Sequence, residues 1–152
     1  MQALDELHHR MAAVSGFSFT ARGGPQSQTA WNGTAIGQVS VARDGKSLVF
    51  NEVGNFTSEC STRSFNQTNC YRWEFLDNSV NVYQERRGEP VFLVNLIVQD
   101  DIWQTHESHL CVKDLYSLKL EILENEIIAT WTISGPKKDE SLEYRYRSNP
   151  SA

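Results

Sequence analysis

Apolar and polar positions alternate with a period of two over most of this chain and with a helical period only once. Leu4, Leu7, Met11 and Val14 recur at helical spacing, with His8, His9 and Arg10 on other faces. This predicts one short amphipathic helix over residues 3–14, stopped at Gly16. Nine strands are then expected, at 16–22, 29–43, 46–56, 70–76, 80–86, 90–98, 114–123, 126–134 and 141–147. Their apolar parities are clear. Trp31, Ala35, Val39 and Val41 share one face with Gly33 and Gly37, and two glycines there suggest a bend or the close approach of another backbone. Leu48, Phe50, Glu52 and Phe56 share the next, and Tyr71, Trp73 and Phe75 oppose Arg72 and Glu74. Tyr116, Leu118, Leu120 and Ile122 form one face, and Ile127, Ala129, Trp131 and Ile133 another. Residues 90–98 are apolar on both parities, which predicts burial on both sides.

The breaks carry turn chemistry. Asp44-Gly45, Asp77-Asn78, Arg87-Gly88, Glu124-Asn125 and Gly135-Pro136-Lys137-Lys138 all read as turns. The polar stretch 57–69 reads as a long hairpin loop or insertion, and 99–108 as a polar connection or short strand holding Trp103. No helices lie between the strands, so the crossovers of a parallel sheet are excluded. Sequential strands with one apolar face each predict an all-β, antiparallel, up-and-down β-barrel, which removes exposed edges. A two-sheet sandwich is the competitor. The chain is expected to be one domain, 1–152, with the barrel over 16–147 and the helix plugging or capping one end.

Composition narrows the function classes. The 152 residues suit one domain with a sizeable core. Aromatics reach 11%, which favours strands and a lined cavity. The formal net charge is −5 and Lys and Arg are scattered, so the basic patch that nucleic-acid binding requires is missing. No apolar run has the length of a membrane-spanning helix. The first ten residues lack the basic start and apolar core of a signal peptide, so a cytoplasmic location with reduced thiols is expected. Cys60 and Cys70 could pair across a loop, leaving Cys111. Sequons at Asn32, Asn55 and Asn66 then read as chance matches. Gly45-Lys46-Ser47 is not a phosphate loop, because Ser40 stands where that motif needs glycine. No cofactor is expected, and homodimerisation is left open.

Several segments carry a resemblance. Trp31-Asn-Gly-Thr-Ala is followed by Asp44-Gly-Lys-Ser-Leu-Val-Phe-Asn-Glu52 and Tyr71-Arg-Trp-Glu-Phe. His109-Leu-Cys-Val-Lys-Asp-Leu-Tyr116, Trp131-Thr-Ile-Ser-Gly-Pro-Lys-Lys-Asp139 and Tyr144-Arg-Tyr-Arg follow in turn. In this order, from about Gly16 onward, the chain resembles an uncharacterised family of small single-domain bacterial proteins. That family commonly has glycine after the cysteine, where this chain has Val112. The resemblance implies a calycin-like barrel of the lipocalin type and no particular activity.

Candidate chemistry concentrates at two places. His106, His109, Cys111, Asp114 and Tyr116 form the densest set of reactive side chains. The His-x-x-His-x-Cys spacing fits no standard zinc or copper site, and no metal is assigned. Glu52 is the second place: a carboxylate at an apolar parity must be paired or hold a raised pKa. Arg22, Arg72 or Tyr116 would be its partner. A bulge turning Glu52 to solvent is the opposing reading.

Glu52, His109 and Tyr116 are therefore the candidate acid/base residues. Trp31, Glu52, Tyr71, Trp73, His109, Cys111, Tyr116, Trp131 and Tyr144 are the candidate ligand-binding set. The leading function is a barrel holding an apolar or aromatic small molecule in its lumen, with an isomerase, cyclase or lyase in the same cavity as the alternative. A third reading is an interaction module with a filled core. The closing strand leaves one question open: either Tyr144 and Tyr146 or Arg145 and Arg147 face inward, because a slip of one residue inverts every side chain. Pairing Leu142 with Trp131 and Ile133 puts the tyrosines inside.

Overall fold

The computed structural model describes residues 3–25, 32–59, 63–105, 108–111 and 113–148. Helix α1 (Ala3–Ala12) leads into β1 (Val14–Gly23), β2 (Gly33–Asp44), β3 (Ser47–Ser58), β4 (Ser64–Phe75) and β5 (Val80–Arg86). There follow β6 (Glu89–Gln99), β7 (Ile102–Thr105), β8 (His109–Cys111), β9 (Asp114–Ile122), β10 (Glu126–Ser134) and β11 (Asp139–Ser148). Every pairing is antiparallel, and each strand lies beside its neighbour in sequence except at two places. β11 closes back onto β1, and β7 and β8 both pair with one edge of β9. The result is a closed up-and-down barrel of ten strands, with β8 continuing along β9 beyond the end of β7.

The ring holds one strand more than the expected nine because, within the stretch read as a polar connection or short strand, Ile102–Thr105 is a strand. Asp100 and Asp101 both take positive φ (53° and 63°) and turn β6 back on β7 as a two-residue hairpin. Aspartate tolerates that left-handed conformation without the glycine that usually marks it. Arg87 and Gly88 make the same turn between β5 and β6.

Much of the polar stretch 57–69 is paired strand rather than loop. β3 runs to Ser58 and β4 starts at Ser64, with Thr57 paired to Ser64 and Asn51 to Cys70. The ladder simply continues past the apolar core, and backbone hydrogen bonds do not need apolar side chains. Residues 90–98 are not buried on both sides. A bulge shifts the register so that Val82 faces Val94 but Tyr83 faces Phe92, leaving Leu93 as the extra residue. The inward parity therefore changes along β6, and both Leu93 and Val94 are buried while Phe92 packs outside on Tyr83.

α1 closes one end. Its acidic first turn (Asp5, Glu6) and basic last turn (His9, Arg10) suit the helix dipole. Leu7 and Met11 are buried in the core, His8 meets the Phe75 ring edge-on, and Arg10 donates to the Leu123 carbonyl. Beneath the helix, Leu48, Phe50, Trp73, Val80, Val82, Leu96, Trp103, Leu120 and Ile127 fill the barrel. Gly37 of β2 and Gly54 of β3, paired in register, mark a close approach. A Cβ on Gly37 or Gly54 would lie within 2.8 Å of the Phe17 ring, which occupies the space both leave. No helix among the described residues is long and apolar enough to cross a membrane.

Candidate functional site

The closing strand pairs Leu142 with Trp131 and Tyr144 with Ala129, so Tyr144 and Tyr146 enter the barrel. Arg145 is left on the outside, bonded to Glu126, as is Arg147. Together with Tyr71 from β4 the two tyrosines build an aromatic layer across the middle of the lumen. Tyr144 stacks on Tyr146 with centroids 5.2 Å apart and meets Tyr71 edge-on at 6.4 Å.

Glu52 sits at this layer, 2% exposed. The Tyr146 hydroxyl donates to its Oε2 at 2.6 Å, while Oε1 is buried with no hydrogen-bond partner. Burial pushes the carboxyl up to about 7, and Tyr146 and the neighbouring Tyr144 pull the other way. The same burial, with the carboxylate close by, raises the hydroxyls of Tyr71, Tyr144 and Tyr146. A carboxyl with one neutral hydrogen bond in an apolar interior holds its proton near neutrality. Glu52 thus faces inward as its parity requires, and its partner is Tyr146 rather than Arg22, Arg72 or Tyr116. Arg22 bonds Glu59, and Arg72 bonds Asp44 and Glu85 outside the barrel.

Between this layer and the end opposite α1 lies a cavity of ≈ 260 Å³. Phe19, Tyr71, Trp131, Ile133, Leu142 and Tyr144 supply its apolar surface. Gln67, Asn69, Gln84, Arg86, Tyr116 and Lys138 supply its polar one. A second, more apolar cavity of ≈ 270 Å³ adjoins it and shares Phe19, Gln67 and Leu142. Ala21, Phe56, Phe65 and Glu140 complete the second chamber.

The polar wall is wired. Arg86 donates through Nε to Gln84 Oε1 at 2.8 Å and through Nη2 to the Tyr116 hydroxyl at 3.3 Å. Gln84 in turn donates to Asn69 Oδ1 at 3.3 Å. Lys138 reaches Asp114 at 3.5 Å. The indole N–H of Trp131, a cavity-lining residue, is buried and has no acceptor.

Of the residues singled out in the sequence, Tyr71, Tyr116, Trp131 and Tyr144 line the first cavity. Glu52 is reached from it through Tyr144 and Tyr146. Trp73 lies in the filled half, wholly buried against Phe50. His109 pairs in register with Tyr116, and Cys111 with Asp114. Trp31, Cys60 and His106 fall outside the described residues, so the Cys60–Cys70 pairing does too; burial raises the pKa of the Cys70 thiol. Among the described residues, no three His, Cys, Asp or Glu side chains gather as a metal site would require.

Arg86, Gln84, Gln67 and Asn69 went unnoticed in the sequence, although a signal existed. Gln84 and Arg86 share the inward parity of Val80 and Val82, and Gln67 and Asn69 that of Tyr71 and Trp73. Polar residues on an inward parity mark where a lumen meets water.

A closed antiparallel barrel, capped at one end and holding an aromatic-floored cavity at the other, defines the class of protein. The chain belongs to a family of unknown function, DUF6314, whose profile matches residues 20–148. No curated protein and no solved structure matches it.

Proposed function

We propose that the protein is a small-molecule binder that holds an apolar or aromatic ligand in its lumen, in the manner of lipocalin-like (calycin) barrels. The observation that carries this reading is the cavity between the tyrosine layer and the uncapped end. It combines an apolar and aromatic surface with a few converging polar groups, the usual make-up of a ligand site. Tyr71, Trp131 and Tyr144 would contact the ligand body, and Tyr116 would help fix its orientation. Native mass spectrometry of the purified protein tests this. A retained small molecule is expected, and Trp131→Ala should release it. Absence of any adduct, with no binding of small amphiphiles added afterwards, would count against the reading.

A second reading is an acid/base enzyme, an isomerase, cyclase or lyase, working in the same cavity. Glu52, buried with its pKa near 7, favours it, because such carboxyls are suited to proton transfer at neutral pH. The proton would pass through Tyr144, which lines the cavity, with Tyr116 and His109 as further candidates. Glu52→Gln separates the readings: turnover of a bound molecule would stop in the enzyme, while a pure binder would keep its ligand.

A further inference from the structure

We propose that the lumen ligand is a neutral carbonyl compound, a ketone or an ester, whose oxygen accepts from a donor wall formed by Asn69 and Tyr116 and whose apolar body lies against Phe19 and Leu142. This rests on the binder reading and adds to it the hydrogen-bonding polarity of the ligand.

The polarity follows from the direction of one hydrogen-bond chain. It starts at Arg86, whose guanidinium has donors and no acceptor. The Gln84 atom that meets Arg86 Nε at 2.8 Å must therefore be the amide oxygen, which turns the Gln84 N–H2 the other way. That N–H2 meets Asn69 at 3.3 Å, so the Asn69 atom there is an oxygen too, and the Asn69 N–H2 is left over. On the other branch Arg86 Nη2 donates to the Tyr116 hydroxyl at 3.3 Å, so Tyr116 accepts and its own proton is left to give. Neither leftover donor has an acceptor among the described residues. Arg86 thus engages the acceptors of this wall and leaves donors at the cavity. Donors without partners are matched by acceptor atoms on a ligand.

These donors lie within reach of a ligand. Asn69 and Tyr116 both line the ≈ 260 Å³ cavity. Among the described residues, the polar side-chain atoms sealed from solvent without a partner are Glu52 Oε1 and the indole nitrogens of Trp73 and Trp131, so the Asn69 amide is not sealed. Both donors are neutral groups. The cationic side chains at this wall are already engaged, Arg86 with Gln84 and Tyr116, and Lys138 with Asp114. An anion drawn in would shed its water without a free counter-charge, whereas a carbonyl oxygen has far less hydration to lose. Phe19 and Leu142 line this cavity and its neighbour alike, and offer the apolar body a continuous surface. Gln67 also lines both chambers and makes no side-chain hydrogen bond among the described residues. Its amide can turn to give or take a hydrogen bond, so it follows the ligand and does not set the polarity.

The full chain, titrated by ligand-observed NMR with acetophenone, ethylbenzene, indole and benzoate, tests the assignment. Acetophenone, an acceptor without donors, should bind about fivefold more tightly than ethylbenzene, the size of one net hydrogen bond. Indole, a donor without acceptors, and benzoate, an anion, should both bind more weakly than acetophenone. Tyr116→Phe and Asn69→Ala should each reduce the acetophenone advantage and together remove it, with ethylbenzene held within about twofold. Gln84→Glu is the sharper variant. Its carboxylate accepts from Arg86 and from Asn69 alike, so the Asn69 amide turns over and offers its oxygen to the cavity. The ratio of acetophenone to indole affinity should then fall by about threefold or more. Loss of packing alone would weaken the two probes equally. The urea midpoint of each variant shows that it is folded, and the four probes on the unaltered chain carry the test if the variants do not fold. Ethylbenzene or indole binding as tightly as acetophenone, or benzoate binding more tightly, would overturn the carbonyl assignment and leave the binder reading standing. A ratio unchanged in Gln84→Glu would do the same. Failure of all four probes to bind, with no molecule retained from expression, would overturn both.

Discussion

The two ends of this barrel are built from the same strands and differ in what they place inside. Under α1 the lumen is filled by Leu48, Phe50, Trp73, Val82, Leu96 and Leu120, with Leu7 and Met11 as the lid. At the other end the inward positions of the same strands turn to Gln67, Asn69, Gln84 and Arg86, and space is left between them. β5 shows the change in one strand: Val80 and Val82 face the filled half, Gln84 and Arg86 the cavity. The filled half supplies cohesion, which frees the other half to keep polar groups and empty volume that cost stability. A closed ladder makes this division affordable, because the backbone stays hydrogen-bonded whatever the side chains do.

Substitutions should separate the two halves. Trp73→Ala removes a wholly buried ring from the filled half and should cost about 3–5 kcal/mol by urea denaturation. Leu142→Ala, partly buried beside the cavity, should cost well under half of that, since no new void is enclosed. Comparable losses would mean that the open half is as tightly packed as the capped one.

Glu52 lies between the halves and links them to pH. Its carboxyl is raised from 4.5 to about 7 on folding, so the native state holds the proton more tightly than the unfolded chain. Stability from this group is therefore full below about 4.5, declines as pH rises through 7, and is flat beyond. The loss over that window is roughly 3 kcal/mol from one such group. Glu52→Gln keeps an acceptor for Tyr146 and should abolish this slope, which urea midpoints between pH 4.5 and 8 would reveal. A slope retained in the variant would place its origin elsewhere.

Gly54→Ala drives a methyl toward the Phe17 ring and the Ile36 carbonyl and should cost about 1–3 kcal/mol by the same measurement. The smallest effect belongs outside the barrel. Arg145→Ala breaks a half-exposed pair with Glu126 and should change stability by no more than about 1 kcal/mol, less at high salt.

Much of this division is legible in the chain. The period-two parities named nearly every buried residue of β3, β4, β9 and β10, and the inward carboxylate of Glu52 stood out against Phe50 and Phe56. What escaped notice has physical causes. The Asp100-Asp101 hairpin carries no glycine, so β7 read as either a connection or a short strand. The bulge at Leu93 made one buried face look like two. The polar start of β4 looked like a loop because its pairing with β3 is held by backbone groups that every residue carries. Arg86 stands last in the strand read at 80–86, where parity alone does not tell a lumen position from a solvated one.

Alone, the sequence determined the class of fold, the apolar face of most strands and the carboxyl that stands on one of those faces, because these depend on local periodicity and on side-chain chemistry. Only the tertiary structure decided that the ring closes through β11 and β1, that the tyrosines of β11 rather than its arginines enter the lumen, and that Arg86, Tyr116 and Trp131 line one cavity. Those outcomes depend on register between strands far apart in the chain, and register is settled by packing all ten together.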